Sequence, residues 1–108
     1  MKLFRNIIIC SSLLGASLEA AEVKMKSLSY DPKTIEINQG ETVTWKNTAY
    51  TDHSATSDES NLPFDTGLIA PEKERSVTFK TSGEFKYHCS IHGKTMSGTV
   101  VVKPVTPK

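Results

Sequence analysis

Short runs of alternating apolar and polar residues, separated by turn-forming residues, dominate the chain after residue 21. Alternation with a period of two places the apolar side chains on one face of a β-strand. None of the runs has the longer period of an amphipathic helix. In chain order the seven runs are 23–26, 34–37, 42–45, 53–56, 76–79, 84–89 and 99–102.

Seven short strands with no crossover helix predict an all-β fold, either a Greek-key β-sandwich of about seven to eight strands or a small barrel. We expect the strands to pair antiparallel. The Val-rich run 99–102 predicts a strand that is covered on both faces. Apolar side chains at alternating positions mark the expected core, namely Met25, Trp45, Phe79, Phe85 and Val100.

Residues 1–20 have the layout of a secretory signal peptide. Lys2 and Arg5 precede a short apolar run, and small residues follow around residue 20. This run is shorter than the roughly 20 apolar residues that span a bilayer. We therefore expect cleavage after residue 20, export, and a single domain at 21–108 without stable membrane insertion. An uncleaved anchor is the weaker alternative.

Loss of the leader changes how the two cysteines, Cys10 and Cys89, are interpreted. As a pair they suggest a disulfide, but Cys10 lies in the leader, so the mature domain has no internal disulfide. Small exported domains with a thin core usually rely on disulfides or a metal. An unpaired thiol in an oxidising compartment is open to oxidation unless something occupies its sulfur.

The charge balance excludes one large class of function. The chain has 13 Lys+Arg and 12 Asp+Glu, a formal net charge of +1. No basic excess is available to neutralise phosphates, so a nucleic-acid partner is excluded. The acidic residues Asp52, Asp58 and Glu59 are expected to form a solvated loop face.

The segment 87–98 carries the residues with metal chemistry. It reads Tyr-His-Cys-Ser-Ile-His-Gly-Lys-Thr-Met-Ser-Gly, and so presents a thiol at Cys89, an imidazole at His92 and a thioether at Met96. A trigonal copper site uses one thiolate, two imidazoles and a weak axial donor. The segment supplies three of these four groups.

The second imidazole must come from His53 or His88. His88 adjoins Cys89 in one strand, so its side chain points to the opposite face of the sheet. His53 lies at the end of another strand and can reach the site from across the sandwich. The resulting donor set favours copper over zinc, for which methionine is a poor ligand.

These motifs resemble those of the cupredoxins, small type 1 copper proteins of the plastocyanin, pseudoazurin and amicyanin group. The pattern Tyr-His-Cys-x-x-His-x3-Met-x-Gly-x-Val-x-Val is similar to their C-terminal copper loop. Upstream, the motifs Tyr30-x-Pro32, 40–47, His53, 64–68 and 83–87 follow in the order that the family shows. The triplet that ends at Cys89 makes the chain most similar to amicyanin.

The resemblance implies that His53, Cys89, His92 and Met96 ligate one copper ion that cycles between Cu(II) and Cu(I). It implies a cupredoxin-like fold and an electron-transfer protein that is not an enzyme. Such a protein meets redox partner proteins by weak, transient contact. We expect a monomer that works in the periplasm, with an apolar patch around the exposed edge of His92 that includes Ile91.

Three features depart from the family pattern. Three residues separate His92 from Met96, whereas the amicyanin pattern has two and the plastocyanin pattern four. Asp52 stands where the family often has Pro, and Ser54 where it usually has Asn to brace the cysteine loop. We expect the metal to bind with a different loop rigidity and reduction potential.

Two other functions stay open as alternatives, and a third is rejected on its context. A copper-binding or copper-delivery protein of the same fold would handle metal rather than electrons. A purely structural sandwich would bind no stoichiometric metal. A Cys–His nucleophile would have to form between Cys89 and His92 within one tight loop, with no evident orienting Asn or Asp and little room for a substrate cleft.

Overall fold

The computed structural model describes residues 21–59 and 64–105. The predicted leader, residues 1–20, lies outside the described residues, so its cleavage stays a prediction. In the described part of the chain, no helix has the length and hydropathy needed to cross a membrane.

The described residues form two sheets of four strands each, which confirms the all-β sandwich. The bounds are β1 Ala21–Met25, β2 Tyr30–Asp31, β3 Thr34–Asn38, β4 Thr42–Asn47, β5 Thr56–Ser57, β6 Glu74–Thr78, β7 Gly83–Cys89 and β8 Gly93–Lys103. The strand orders are β2-β1-β4-β6 in the first sheet and β3-β8-β7-β5 in the second.

Both sheets are mixed, so the expectation of purely antiparallel pairing is wrong. β1 pairs parallel with β4, and β3 pairs parallel with β8. The other pairs are antiparallel. After β1 and β2 in the first sheet, the chain crosses to β3 in the second sheet and then returns to β4 in the first. This crossing allows β4 to run parallel beside β1. Alternation along one strand does not record the direction of its neighbour.

The predicted strand 53–56 is reduced to a two-residue strand at Thr56–Ser57. His53 forms only an isolated antiparallel bridge with Ile69. Between His53 and Thr56 the chain is a loop, in which the Ala55 N–H donates to the Thr66 hydroxyl and the Ala55 carbonyl accepts from the Thr66 N–H. His53 is therefore not part of a continuous β-ladder, and it lies at the end of the sandwich.

The last strand, β8, is longer than predicted and is not covered on both faces. It begins at Gly93 and its burial alternates along its length. Val100 and Val102 are buried, whereas Val101 between them is partly exposed. β-branched residues are favoured on either face of a strand, so a Val run does not by itself indicate two-sided burial.

The core lies between the sheets around Trp45. The five predicted core residues, Met25, Trp45, Phe79, Phe85 and Val100, are all buried. The Trp45 ring stacks on Phe64 at a centroid distance of 5.6 Å and meets Tyr87 edge-on at 5.3 Å. Removing an aromatic side chain from such a core costs about 3–5 kcal/mol. This packing anchors β7, the strand that ends in the predicted thiolate.

Gly98 allows β8 to pass close to Tyr87. A Cβ atom at position 98 would lie 2.6 Å from Cζ of Tyr87 and 2.9 Å from the carbonyl oxygen of Lys33. That carbonyl accepts a hydrogen bond of 2.9 Å from the backbone N–H of Thr99, so it is not free to move away. Close approach therefore explains the glycine at this position.

We expect Gly98→Ala to lower the free energy of unfolding by about 1–3 kcal/mol, the usual cost of overpacking a core. Denaturant unfolding of the metal-free protein, followed by the fluorescence of Trp45, measures this change. Ser97→Ala is the matched control, with an expected change within about 0.5 kcal/mol. Equal unfolding midpoints for Gly98→Ala and the unmodified protein would contradict the close packing against Tyr87.

Candidate metal centre

Cys89 is the last residue of β7 and is fully buried. His88 lies opposite Ser97 of β8, but Cys89 pairs with Gly93, so the register shifts at this point. The shift closes a tight turn over residues 90–92. Because side chains alternate along β7, Cys89 faces the interior and His88 the outer side of the sheet.

His53 reaches the site from the loop between β4 and β5. Its backbone exchanges two hydrogen bonds with Ile69, of 3.2 and 2.7 Å. The side-chain amide of Asn47 donates to the carbonyl oxygens of Ile69 and Thr51, both at 2.8 Å. These bonds fix the His53 segment to the end of β4, and the imidazole is fully buried.

The two imidazoles converge on the thiol. Nδ1 of His53 lies 3.7 Å from Sγ of Cys89, and Nδ1 of His92 lies 3.5 Å from the same sulfur. The ligand atoms of the three residues all lie within 4.8 Å of one another. His92 is partly exposed, whereas the other two residues are buried. The structure therefore brings together three of the four predicted ligands.

Met96 lies on β8 and is fully buried. Since His88 lies opposite Ser97, the next residue of β7 and the preceding residue of β8 share the inner face. These residues are Cys89 and Met96. The position agrees with a thioether donor on the interior side of the site, and the ligand role of Met96 stays a prediction.

His88 lies outside the site, as the alternation predicts. Its Nδ1 is 2.5 Å from Oδ1 of Asp58, and the other oxygen of that carboxylate is 3.8 Å from Nζ of Lys94. The expectation of a solvated loop face is wrong for Asp58, whose side chain is only 17% exposed. Asp52 and Glu59 are exposed, as expected.

Ser54 braces the cysteine loop, as predicted, but it does not act alone. The backbone N–H of Ser90 donates to the Ser54 hydroxyl at 2.9 Å, and the two hydroxyl oxygens are 3.0 Å apart. The hydroxyl of Thr56 lies 2.8 Å from that of Ser54 and donates to Asp65 at 3.1 Å. Tyr30 donates its hydroxyl hydrogen to the Ser54 carbonyl. Sequence reasoning missed Thr56 because hydroxyl contacts between segments leave no periodic signal.

The electrostatic surroundings keep His53 in the state that binds a metal. Burial lowers the pKa of His53 below its usual value of 6.5, and the nearby His92 lowers this pKa further, while Asp52 opposes the shift. A metal ion binds the neutral imidazole, so protons compete with it for the ring. The lowered pKa therefore favours the neutral ring, which is the form that a metal ion binds.

The donor set fits a copper ion. A thiolate with two imidazoles, and a thioether on the same face, matches the trigonal copper sites of electron carriers. Among the described residues, no carboxylate joins the cluster of ligand atoms, and carboxylates would suit harder cations. The fold and the site together define a small copper-binding β-sandwich of the cupredoxin class.

Comparisons with known proteins agree with this class. Residues 18–103 match the family model described as copper binding proteins, plastocyanin/azurin family. The chain is 32% identical over 112 residues to the chloroplastic plastocyanin of Tetradesmus obliquus, across 91% of this chain and 77% of that protein. The chain therefore belongs to the copper-binding plastocyanin/azurin family.

Two solved structures share the fold. A reduced Cu(I) form of an amicyanin mutant at pH 4 superimposes with a TM-score of 0.72 and 29% identity, covering 78% of this chain and 82% of that one. A purple cupredoxin from Nitrosopumilus maritimus gives a TM-score of 0.69 and 26% identity, covering 77% of this chain and 99% of that one. The predicted resemblance to small cupredoxins is confirmed. The family and the His-Cys-His cluster identify one copper ion as the cofactor.

In the metal-free protein we expect the His53 imidazole to be less than half protonated at pH 6.5, where an ordinary histidine is half protonated. As the pH falls, this histidine therefore takes up its proton earlier in the unfolded chain than in the folded protein. The free energy of unfolding should therefore fall as the pH drops through the ordinary histidine range. Imidazole ¹⁵N NMR measures the pKa, and denaturant unfolding at several pH values measures the stability.

His53→Gln is the control for this prediction, since the variant lacks the buried titrating ring and should lose less stability on acidification. A pKa of His53 at or above the ordinary value, or an unchanged pH dependence in His53→Gln, would contradict it.

Proposed function

We propose that residues 21–108 form an exported electron-transfer protein that cycles one copper ion between Cu(II) and Cu(I) at a type 1 centre. The observation that carries the proposal is the convergence of Nδ1 of His53 and Nδ1 of His92 on the buried Sγ of Cys89, at 3.7 and 3.5 Å. Met96, on the same inner face, is proposed as the weak axial donor. When bound, the copper supplies one-electron redox chemistry.

The contribution of the protein to this function is to restrain the metal-donor side chains in fixed positions. His53 is tied to Ile69 by two backbone hydrogen bonds, and the turn after Cys89 is tied to Ser54 through the backbone N–H of Ser90. Donors that do not move serve both oxidation states with little rearrangement. This is the property that an electron carrier needs and that a metal-releasing protein does not.

Burial of the donors also explains why we propose no substrate chemistry. His53, Cys89 and Met96 have no exposed surface, so the edge of His92 is the part of the four-ligand set that is open to solvent. A substrate could not reach a position on the metal without opening the sandwich. We propose that the protein is not an enzyme and that it acts as a monomer.

The exposed edge of His92 lies beside apolar surface. Ile91, its neighbour, is 54% exposed, and Leu68, next to the residue that pairs with His53, is 51% exposed. Redox encounters typically bury less than about 1,200 Å². We propose that redox partner proteins meet this small apolar patch by weak, transient contact.

Export follows from the predicted leader at residues 1–20, and the periplasm is the proposed compartment. Export also gives a reason for the metal, because Cys89 is the single cysteine of residues 21–108. A free thiol in an oxidising compartment is open to oxidation. A copper ion on the sulfur would protect it.

Addition of Cu(II) to the mature protein should produce an intense visible absorption from charge transfer between the Cys89 thiolate and the metal. Cys89→Ser should abolish the absorption, and His53→Asn should weaken or abolish it. His88→Asn is the matched control, because it removes an imidazole next to the cysteine that points away from the site. Optical spectra with metal analysis make the measurement.

A colourless complex with one copper per chain would refute the type 1 centre. Copper that passes to a Cu(I) chelator at every reduction, rather than staying bound through repeated redox cycles, would instead support a copper-delivery protein.

We expect Met96→Leu to keep the visible absorption and to raise the reduction potential. Loss of a donor destabilises Cu(II) more than Cu(I), because the more highly charged Cu(II) ion is stabilised more by each electron-donating ligand. A tenfold shift of the one-electron equilibrium corresponds to about 59 mV, and we expect a shift of at least this size. Met25→Leu is the control, and spectroelectrochemistry gives both potentials. Equal potentials for Met96→Leu and the unmodified protein would exclude Met96 as a ligand.

A further inference from the structure

A row of hydroxyl groups leads from the turn after β7 to a carboxylate on the neighbouring loop. The Ser54 hydroxyl accepts a hydrogen bond of 2.9 Å from the backbone N–H of Ser90. It lies 2.8 Å from the hydroxyl of Thr56, which donates to Oδ1 of Asp65 at 3.1 Å. We call Ser54, Thr56 and Asp65 the hydrogen-bond relay. The relay ends on an ionised carboxylate, a group that only accepts hydrogen bonds.

The carboxylate sets the direction of the hydrogen bonds in the relay. The single hydroxyl hydrogen of Thr56 goes to Asp65, and bonds to a charged acceptor are the stronger ones. The 2.8 Å contact between Thr56 and Ser54 can then be filled only by the hydrogen of Ser54. The Ser90 hydroxyl oxygen, at 3.0 Å, is a second acceptor in reach of that hydrogen, but Ser90 is exposed and can bond to water instead. The Ser54 hydrogen therefore points to Thr56, and its lone pairs face the Ser90 N–H.

Asp65 is itself held in place. Its Oδ1 also accepts the backbone N–H of Gly67 at 2.8 Å, and its backbone forms an isolated antiparallel bridge with Thr56. The next residue, Thr66, accepts a hydrogen bond of 3.1 Å at its carbonyl oxygen from the Arg75 side chain of β6. The relay therefore ends on a segment that is tied to the edge strand of the first sheet.

We infer that Asp65 is a positioning residue for the metal centre, and that it acts through Thr56 and Ser54 on the turn that carries Ser90. Two of the proposed ligands flank this turn, so a Ser54 oxygen of fixed direction restrains both of them. The inference rests on the proposed function where it concerns copper.

The need for Asp65 follows from the serine at position 54. The Asn that the family usually has there carries a planar amide with its donors and acceptor in fixed directions, whereas a hydroxyl hydrogen rotates freely. Thr56 and Asp65 supply the direction that the Ser54 hydroxyl lacks by itself.

The first experiment needs no copper. Amide hydrogen exchange in metal-free ¹⁵N-labelled protein measures the protection of the Ser90 N–H. Asp65→Ala and Thr56→Val should each lower this protection by at least about fivefold, which corresponds to the loss of one hydrogen bond. Asp65→Asn should keep the protection, because its amide oxygen can accept the same bonds from Thr56 and the Gly67 N–H.

The second experiment measures the electron self-exchange rate between the Cu(I) and Cu(II) forms by NMR line broadening. A turn that is held less firmly rearranges more between oxidation states, so Asp65→Ala and Thr56→Val should slow self-exchange by at least about threefold. Asp65→Asn loses the same charge as Asp65→Ala and should keep the rate of the unmodified protein. The pair of variants therefore separates position from charge.

Thr44→Val is the matched control for Thr56→Val. It removes a hydroxyl that lies 2.7 Å from the hydroxyl of Ser76 between two strands of the first sheet. We expect it to change neither the Ser90 protection nor the self-exchange rate.

Unchanged Ser90 protection in both Asp65→Ala and Thr56→Val would overturn the proposal. Lowered protection with an unchanged self-exchange rate would overturn the link to the metal centre, and equal slowing in Asp65→Asn would assign the effect to charge rather than position. If the unmodified protein forms no type 1 absorption while the exchange results are as expected, the proposed function fails and the relay stands. The two failures are therefore distinguishable.

Discussion

Convergence of two imidazoles on one buried thiol is the constraint on which the rest of this structure depends. Nδ1 atoms within 3.7 Å of Sγ require two separate segments, the loop that carries His53 and the turn that joins Cys89 to His92, to meet at one end of the sandwich. The cost of ordering these segments is offset by hydrogen bonds at each of them and, in the loaded protein, by metal binding, which contributes to the free energy of folding. A domain with one cysteine and no internal disulfide needs such a contribution.

Much of the centre could be predicted because its chemistry is contiguous in sequence. Cys89, His92 and Met96 fall within eight residues, and strand alternation alone separates His88 from the site. The position of His53 was harder to predict, because it depends on a bridge with Ile69 that leaves no pattern in the local sequence. The resemblance to cupredoxins supplied that long-range information.

The fold was predictable to the level of strands and core, but not to the level of pairing. The period-two alternation predicts which side chains are buried, and it correctly predicted Trp45 and the other core residues. Alternation does not predict which strand lies beside which, so the sequence analysis did not predict the parallel pairs or the shortening of the strand 53–56 to β5. Asp58 was misjudged for the same reason, because its partner His88 lies 30 residues away.

The two faces of the second sheet carry different kinds of side chain near the register shift at Cys89. Up to His88 the strands β7 and β8 alternate regularly, and the shift at Cys89 then opens room for the loop that brings His92 to the thiol. Because the alternation holds as far as His88, inner positions carry Cys89 and Met96, two of the proposed ligands, while outer positions carry His88, Lys86 and their polar neighbours. The proposed donors and the polar outer side chains are therefore separated by a single layer of backbone.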